Sequence, residues 1–151
     1  MSESCIQHVE SVWKEKTNSA NQFFNEGNFK KALIVYEEAL FRAEVLCNNG
    51  FKAINLSVPY KQIFAISCNN IAYTHEEIGE IEKGEKMLQR VIYYFLFLTK
   101  ENQGNNSIIQ NELKRALFTY TDFADRNNLE AKSYQKILHN IQEEFKVNPS
   151  I

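Results

Sequence analysis

The sequence predicts an all-α protein, and three observations carry this prediction. Helix breakers are scarce, because only two prolines and five glycines occur among 151 residues. Apolar residues recur every three to four positions, whereas the period-two alternation typical of strands is hard to find. Asparagine and glycine interrupt the apolar pattern at intervals that delimit six helices. The sequence therefore predicts three helical hairpins.

The first hairpin is predicted from residues 8–26 and 29–47. Gly27 and Asn28 end the first helix, because glycine and asparagine tolerate the left-handed conformation that commonly follows a helix. The second helix begins at once and ends at the segment CNNG, which starts at Cys47.

The second hairpin follows a predicted loop of about twelve residues. Pro59 opens its first helix, since proline is tolerated in a first helical turn, and Gly79 ends it. Its second helix is predicted from Ile81 to Lys100.

The third hairpin is predicted from two further apolar patterns. One pattern covers residues 107–126. The other comprises Leu129, Tyr134, Ile137, Leu138, Ile141 and Phe145.

Small and large residues in the first hairpin have a specific spacing. Counted from Ala20, seven positions have offsets of 0, 3, 7, 9, 12, 16 and 19 residues: Ala20, Phe23, Gly27, Phe29, Ala32, Tyr36 and Ala39. This spacing resembles the tetratricopeptide repeat, a helix-turn-helix unit of about 34 residues whose small positions let its two helices touch. A second unit fits the same offsets with a longer spacing, at Ala72, His75, Gly79, Ile81, Gly84, Leu88 and Val91. A third is preserved only in Phe123, Asn127 and Leu129.

Over residues 11–146 the chain looks like small bacterial proteins with tetratricopeptide-like helices and poorly defined function. The resemblance implies a single domain, 1–151, built as a right-handed stack of three hairpins. Its repeats would cover about 11–47, 59–100 and 107–146. Such families are adaptors or chaperones more often than enzymes.

A stack of hairpins curves, and the first helix of each hairpin lines a concave surface that can hold a peptide or a partner helix. Asparagine amides suit a peptide backbone and aromatic rings offer contact area. The predicted groove residues are Asn21, Phe24, Asn25, Asn70, Tyr73 and Lys114. Replacing Asn21 and Asn70 by alanine is expected to leave stability nearly unchanged, because both amides are expected to face solvent.

Part of this set also resembles the carboxylate clamp of some tetratricopeptide domains. Asn21, Asn70 and Lys114 match it. Thr17 and Phe118 stand where basic residues are usual, so the match is incomplete.

A separate feature is the apolar segment VIYYFLFL, residues 91–98, which is too short to cross a bilayer because a spanning helix needs about 20 apolar residues. A helix that is apolar all round is expected to be buried all round. One interpretation encloses this helix between the flanking repeats. The alternative is a structural homo-oligomer, such as a homodimer, whose interface uses Tyr94 and Phe97.

The composition of the chain argues against some classes of partner and favours one cellular compartment. The 17 basic and 19 acidic side chains give a net charge of −2 and form no basic block, which argues against nucleic acid. The N-terminus lacks the basic start and apolar run of a secretory signal, and three cysteines, an odd number, suit a reducing compartment. These features predict a cytoplasmic protein, and the repeat resemblance implies that its partner is another protein.

The alternative to a protein-binding module is an enzyme or a metal-binding protein. The sequence gives little support to either. His75 follows Cys68 by two helical turns, about 10 Å, which is too far for a nucleophile and base. The glutamates of residues 75–85 favour a solvated cluster over a cation site, while Cys5 with His8, and His139 alone, make weak ligands. The sequence therefore predicts a non-enzymatic interaction module without metal or cofactor.

Overall fold

The computed structural model describes residues 1–101, 107–129, 135–137, 139–140 and 143. All regular structure within these ranges is helical and contains no strand, so the predicted all-α class is confirmed. Tyr134, Leu138, Ile141 and Phe145 of the predicted last helix lie outside the described residues, whereas Ile137 lies in a helical stretch.

Six helices have defined bounds in the part of the chain that the structure describes. They are α1 (Glu3–Asn25), α2 (Phe29–Asn48), α3 (Gly50–Asn55), α4 (Tyr60–Ile78), α5 (Ile81–Glu101) and α6 (Ser107–Arg126). The chain forms two compact units, residues 1–87 and 88–151, with their boundary inside α5.

The short helix α3 lies in a segment that the sequence predicted as loop. Its six residues are too few to show a helical period, and the asparagines before it favour a turn. Ala53 is fully buried, and its carbonyl accepts a hydrogen bond of 2.8 Å from the Val58 amide. Burial of Ala53 and this bond hold the connection between α2 and α4 as a short helix.

The helices α1, α4 and α6 end in the same way. Each is followed by a residue with positive φ: Gly27 (78°), Gly79 (91°) and Asn128 (53°). The next amide then bonds back to the carbonyl five residues earlier, from Asn28 to Phe23 (2.8 Å), from Glu80 to His75 (2.8 Å) and from Leu129 to Ala124 (3.0 Å). This is the Schellman arrangement, which satisfies carbonyls that a helix end leaves without partners.

The third of these turns corrects the predicted register. The sequence placed the turn position at Asn127, but the left-handed residue is Asn128, one position later. Asn127 instead donates from its side-chain amide to the Phe123 carbonyl at 2.9 Å. Two consecutive asparagines are equally suited to a turn by type, so only the backbone geometry separates them.

The unit formed by residues 1–87 has a core of small residues between α1 and α2. Ala20 and Ala32, the two predicted contact positions, are both fully buried, as is Ala43. Closer to the N-terminus of α1, the Trp13 indole N–H donates a buried hydrogen bond of 2.8 Å to Ser67 Oγ. This bond ties α1 to α4, the first helices of the first two hairpins.

The unit formed by residues 88–151 buries large side chains instead. Phe95, Ile109, Tyr120 and Phe123 are almost completely inaccessible to solvent. Thr99, also buried, satisfies its hydroxyl by donating to the Phe95 carbonyl at 2.7 Å. None of the described helices is long and apolar enough to cross a membrane.

Candidate functional site

A pocket of about 270 Å³ opens in the unit formed by residues 1–87. It is lined by Asn21, Phe24, Asn25, Tyr36, Asn70 and Tyr73. Five of these six residues belong to the groove that the sequence predicted, although they come from helices about fifty residues apart. Tyr36, from α2, is the lining residue that the sequence analysis placed in the repeat spacing and not in the groove.

The Trp13–Ser67 hydrogen bond explains how the two halves of this pocket meet. Asn21 lies about two helical turns after Trp13 on α1, and Asn70 lies about one turn after Ser67 on α4. The bond between Trp13 and Ser67 therefore joins α1 to α4 just before the pocket, while α2 packs against both helices. Within α4, Thr74 Oγ1 donates to the Asn70 carbonyl at 2.7 Å, so the buried threonine hydroxyl has a partner.

Tyr36 and Asn21 are joined by a hydrogen bond in the pocket wall. The phenol of Tyr36 donates to Oδ1 of Asn21. A phenol is protonated at neutral pH, and burial raises the pKa of Tyr36 further above its usual value, so the phenol remains a donor. Oδ1 keeps one lone pair, while the two N–H groups of Asn21 Nδ2 make no hydrogen bond to the described residues and remain for a ligand.

The bond to Tyr36 corrects one expectation. Asn21 is exposed, as the sequence suggested, but its amide also accepts from a phenol whose residue is 3% exposed. Removing the amide would leave the Tyr36 phenol without its acceptor. Asn21→Ala is therefore no longer expected to be neutral for stability. Asn70 differs, since its side chain makes no hydrogen bond to the residues that the structure describes.

Aromatic rings form the apolar part of the pocket. Phe24 packs edge-on against Phe29, with ring centroids 5.1 Å apart and an interplanar angle of 73°. This contact across the α1–α2 turn restrains Phe24 while leaving it half-buried. Tyr73, also half-buried, lies one turn after Asn70.

The lining carries no charged side chain among the residues described. The Lys16 ammonium pairs with Glu38 at 2.7 Å, and Lys14 lies 4.0 Å from Glu10. Thr17, one turn before Asn21, is buried and uncharged. Lys114, the remaining predicted groove residue, is exposed on α6 in the unit formed by residues 88–151, as is Phe118.

A second surface lies in that other unit. Tyr93 and Phe97, one turn apart on α5, are 43% and 57% exposed, whereas Tyr94 is half-buried with its ring 5.3 Å from that of Phe95. The Tyr93 hydroxyl accepts from Asn140 Nδ2 at 3.2 Å. The pocket here, of about 330 Å³, is lined by Tyr93, Leu96, Phe97, Lys100, Asn140 and Glu143. The exposed aromatic pair is thus Tyr93 with Phe97, and the sequence had named Tyr94 with Phe97.

The candidate nucleophile and base that the sequence offered on α4 are both buried. Cys68 is fully buried and His75 almost so. His75 Nδ1 lies 3.5 Å from Glu80 Oε1, which is long for a hydrogen bond. Glu80 accepts from Lys83 at 2.6 Å, and this bond lowers the pKa of the carboxyl. No group of three or more metal-ligating side chains occurs among the described residues.

The fold and this pocket define an all-α helical-hairpin protein with an uncharged groove of amides and aromatic rings. The chain belongs to a family whose description is protein of unknown function (DUF2753), and the family model matches residues 11–149. No curated protein and no solved structure matches the chain.

Proposed function

We propose that the protein is a non-enzymatic interaction module, an adaptor or chaperone-like protein of the cytoplasm, that holds a peptide or helix of a partner protein. The working surface is the groove of Asn21, Phe24, Asn25, Asn70 and Tyr73. One observation carries the proposal: α1 and α4 place these amides and aromatic rings around a single pocket, which Tyr36 of α2 completes.

The chemistry of the groove suits a polypeptide. Side-chain amides pair with backbone N–H and C=O groups, and aromatic rings bury apolar side chains at low entropic cost. Clefts of this type bind extended segments when the remaining contacts are supplied along the surface.

A tetratricopeptide-like architecture is part of the proposal. The buried alanines at the α1–α2 contact and the repeated turns after α1, α4 and α6 support it. In such an architecture the first helix of each hairpin faces the ligand, and Asn21 and Asn70 come from α1 and α4.

The second candidate function is a structural homo-oligomer. Two exposed aromatic side chains one turn apart, Tyr93 and Phe97, favour it. Burying two such rings would contribute about 1.5 to 3 kcal/mol each to association. This function needs no client protein.

A pull-down from extract of the native cell separates the two functions. Asn25→Lys with Asn70→Lys fills the groove with bulk and charge and removes no side-chain hydrogen bond to the described residues. Asn48→Lys with Asn111→Lys adds the same charge at exposed asparagines elsewhere and serves as the matched control.

We expect the wild-type protein and the control to recover one defined client that the groove variant loses. Thermal melts establish that all three proteins are folded. Equal recovery by the groove variant would refute the groove as the working site. A stable dimer that Tyr93→Ser with Phe97→Ser dissolves, together with no client, would favour the oligomer.

A further inference from the structure

We propose that Tyr36 sets the hydrogen-bond polarity of the groove, so that Asn21 offers N–H donors to uncharged main-chain carbonyl oxygens of an internal peptide segment. This inference rests on the proposed peptide-binding function and specifies its ligand. Tyr36 acts as a positioning residue and Asn21 as the residue that touches the peptide.

The polarity follows from the proton of the Tyr36 phenol. Tyr36 is 3% exposed, and the only hydrogen bond of its phenol within the described part of the chain is the one that it donates to Asn21 Oδ1. Rotating the amide by half a turn would place Nδ2 against the phenol oxygen. The phenol proton would then lose its acceptor in a buried site, which is costly. The orientation with Nδ2 toward the pocket is therefore favoured.

An amide that is held in this way discriminates between ligands. Free asparagine can rotate and pair with either a donor or an acceptor, but Asn21 held by Tyr36 turns the two N–H groups of Nδ2 to a ligand and keeps one lone pair on Oδ1. A ligand oxygen satisfies them, whereas a ligand N–H facing Nδ2 would remain unpaired. Asn70, across the pocket, has no such restraint among the described residues and can complete the contact with either end of its amide.

The charge of the surroundings favours a neutral oxygen over a carboxylate. No cationic side chain is present in the described lining, and Thr17, one turn before Asn21, is buried and neutral. The Lys16 ammonium is engaged by Glu38 at 2.7 Å. A desolvated carboxylate without a cation is unfavourable, but a peptide carbonyl carries no charge to compensate. Phe24 and Tyr73 then contact the apolar side chains that flank this carbonyl.

The test uses two peptide arrays that carry the same random octapeptide sequences. One array ends in free carboxylates and the other in carboxamides. Wild-type protein, Asn21→Asp and Tyr36→Phe are compared on both arrays in 50 mM and 500 mM salt. Asn21→Asp is the sharpest variant, because its carboxylate still accepts from Tyr36 while the N–H donors disappear.

We expect wild-type protein to bind the same sequences on both arrays with equal intensity, and with little salt dependence because the contact is neutral. Asn21→Asp should bind about tenfold more weakly, as loss of one well-placed hydrogen bond implies. Tyr36→Phe keeps the ring but frees the amide. It should lose about threefold in affinity and bind a broader set of sequences.

Circular dichroism and thermal melts verify folding of each variant. Binding by wild-type protein to the carboxylate array alone would overturn the inference and leave the peptide-binding function in place. Binding by Asn21→Asp as strong as that of the wild-type protein would also overturn the inference and leave the peptide-binding function in place. If folded wild-type protein binds neither array, the proposed function fails and the inference fails with it.

Discussion

The indole N–H of Trp13 donates to Ser67 Oγ across 2.8 Å, although 54 residues separate them along the chain. Both residues are buried, so neither group has water as an alternative partner. This bond joins α1 to α4 beside the groove, and its loss has a measurable cost.

Ser67→Ala should lower the free energy of unfolding by about 1 to 3 kcal/mol, because the buried indole N–H is left without an acceptor. Trp13→Phe with Ser67→Ala removes both polar groups, and a double-mutant cycle in urea then isolates their coupling. Additive effects of the two single substitutions would show that the bond contributes nothing to stability.

Ala32→Leu tests the close approach of α1 and α2. Ala32 is fully buried, so a larger side chain should destabilise the protein by about 1 to 3 kcal/mol through overpacking. Ile34→Leu, at an exposed position two residues away on the same helix, is the control and should change the urea midpoint little. An unchanged midpoint for Ala32→Leu would count against the hairpin contact.

Gly27→Ala tests the first turn. A Cβ at Gly27 would meet no atom within 4 Å, so the cost is purely that of φ at +78°. We expect a loss of about 1 to 2 kcal/mol for alanine and a smaller loss for Gly27→Asn. Asn128 already occupies the corresponding position after α6, so Asn128→Gly should be neutral or stabilising. Thermal unfolding of the three variants measures this order.

The hydrogen bond between Tyr36 and the Asn21 amide leads to a prediction about the stability of Asn21 variants. Asn21→Ala should cost about 1 kcal/mol or more, because the Tyr36 phenol loses its acceptor, whereas Asn21→Asp should retain stability. Asn70→Ala should be close to neutral, since its side chain makes no hydrogen bond to the described residues. Equal midpoints for Asn21→Ala and Asn70→Ala in urea would contradict the Tyr36 contact.

Glu38 gives a pH prediction. The hydrogen bond from Lys16 lowers the pKa of this carboxyl in the folded state. A lowered pKa contributes stability that is present above the unfolded value and is lost as pH falls through the folded value. The side chain is 41% exposed, so Glu38→Gln should cost only about 0.5 kcal/mol at pH 7 and nothing at pH 2. Melts at both pH values in low salt measure the difference.

Local sequence signals predicted the helices well and the side-chain details less well. Gly27, Gly79 and Pro59 act through their own backbone preferences, so helix ends near them could be predicted without tertiary information. The short α3 could not, because six residues show no period.

In the candidate groove, too, the sequence predicted the helices that carry the residues better than the contacts between side chains. Its α1 and α4 residues follow from helical spacing, but the role of Tyr36 depends on a hydroxyl that meets Asn21 only in the folded chain. Similarly, residues 91–98 are apolar on every face, so periodicity could not show that Tyr93 is more exposed than Tyr94.

Trp13 is the only tryptophan in the sequence. Its indole is 8% exposed and bonded to Ser67, so its environment is set by the junction of α1 and α4. Tryptophan fluorescence of the unlabelled protein therefore has a single source, placed about two helical turns from Asn21. Any ligand that tightens or loosens this junction on entering the groove becomes visible as a shift in emission, which gives a direct optical assay for screening peptides.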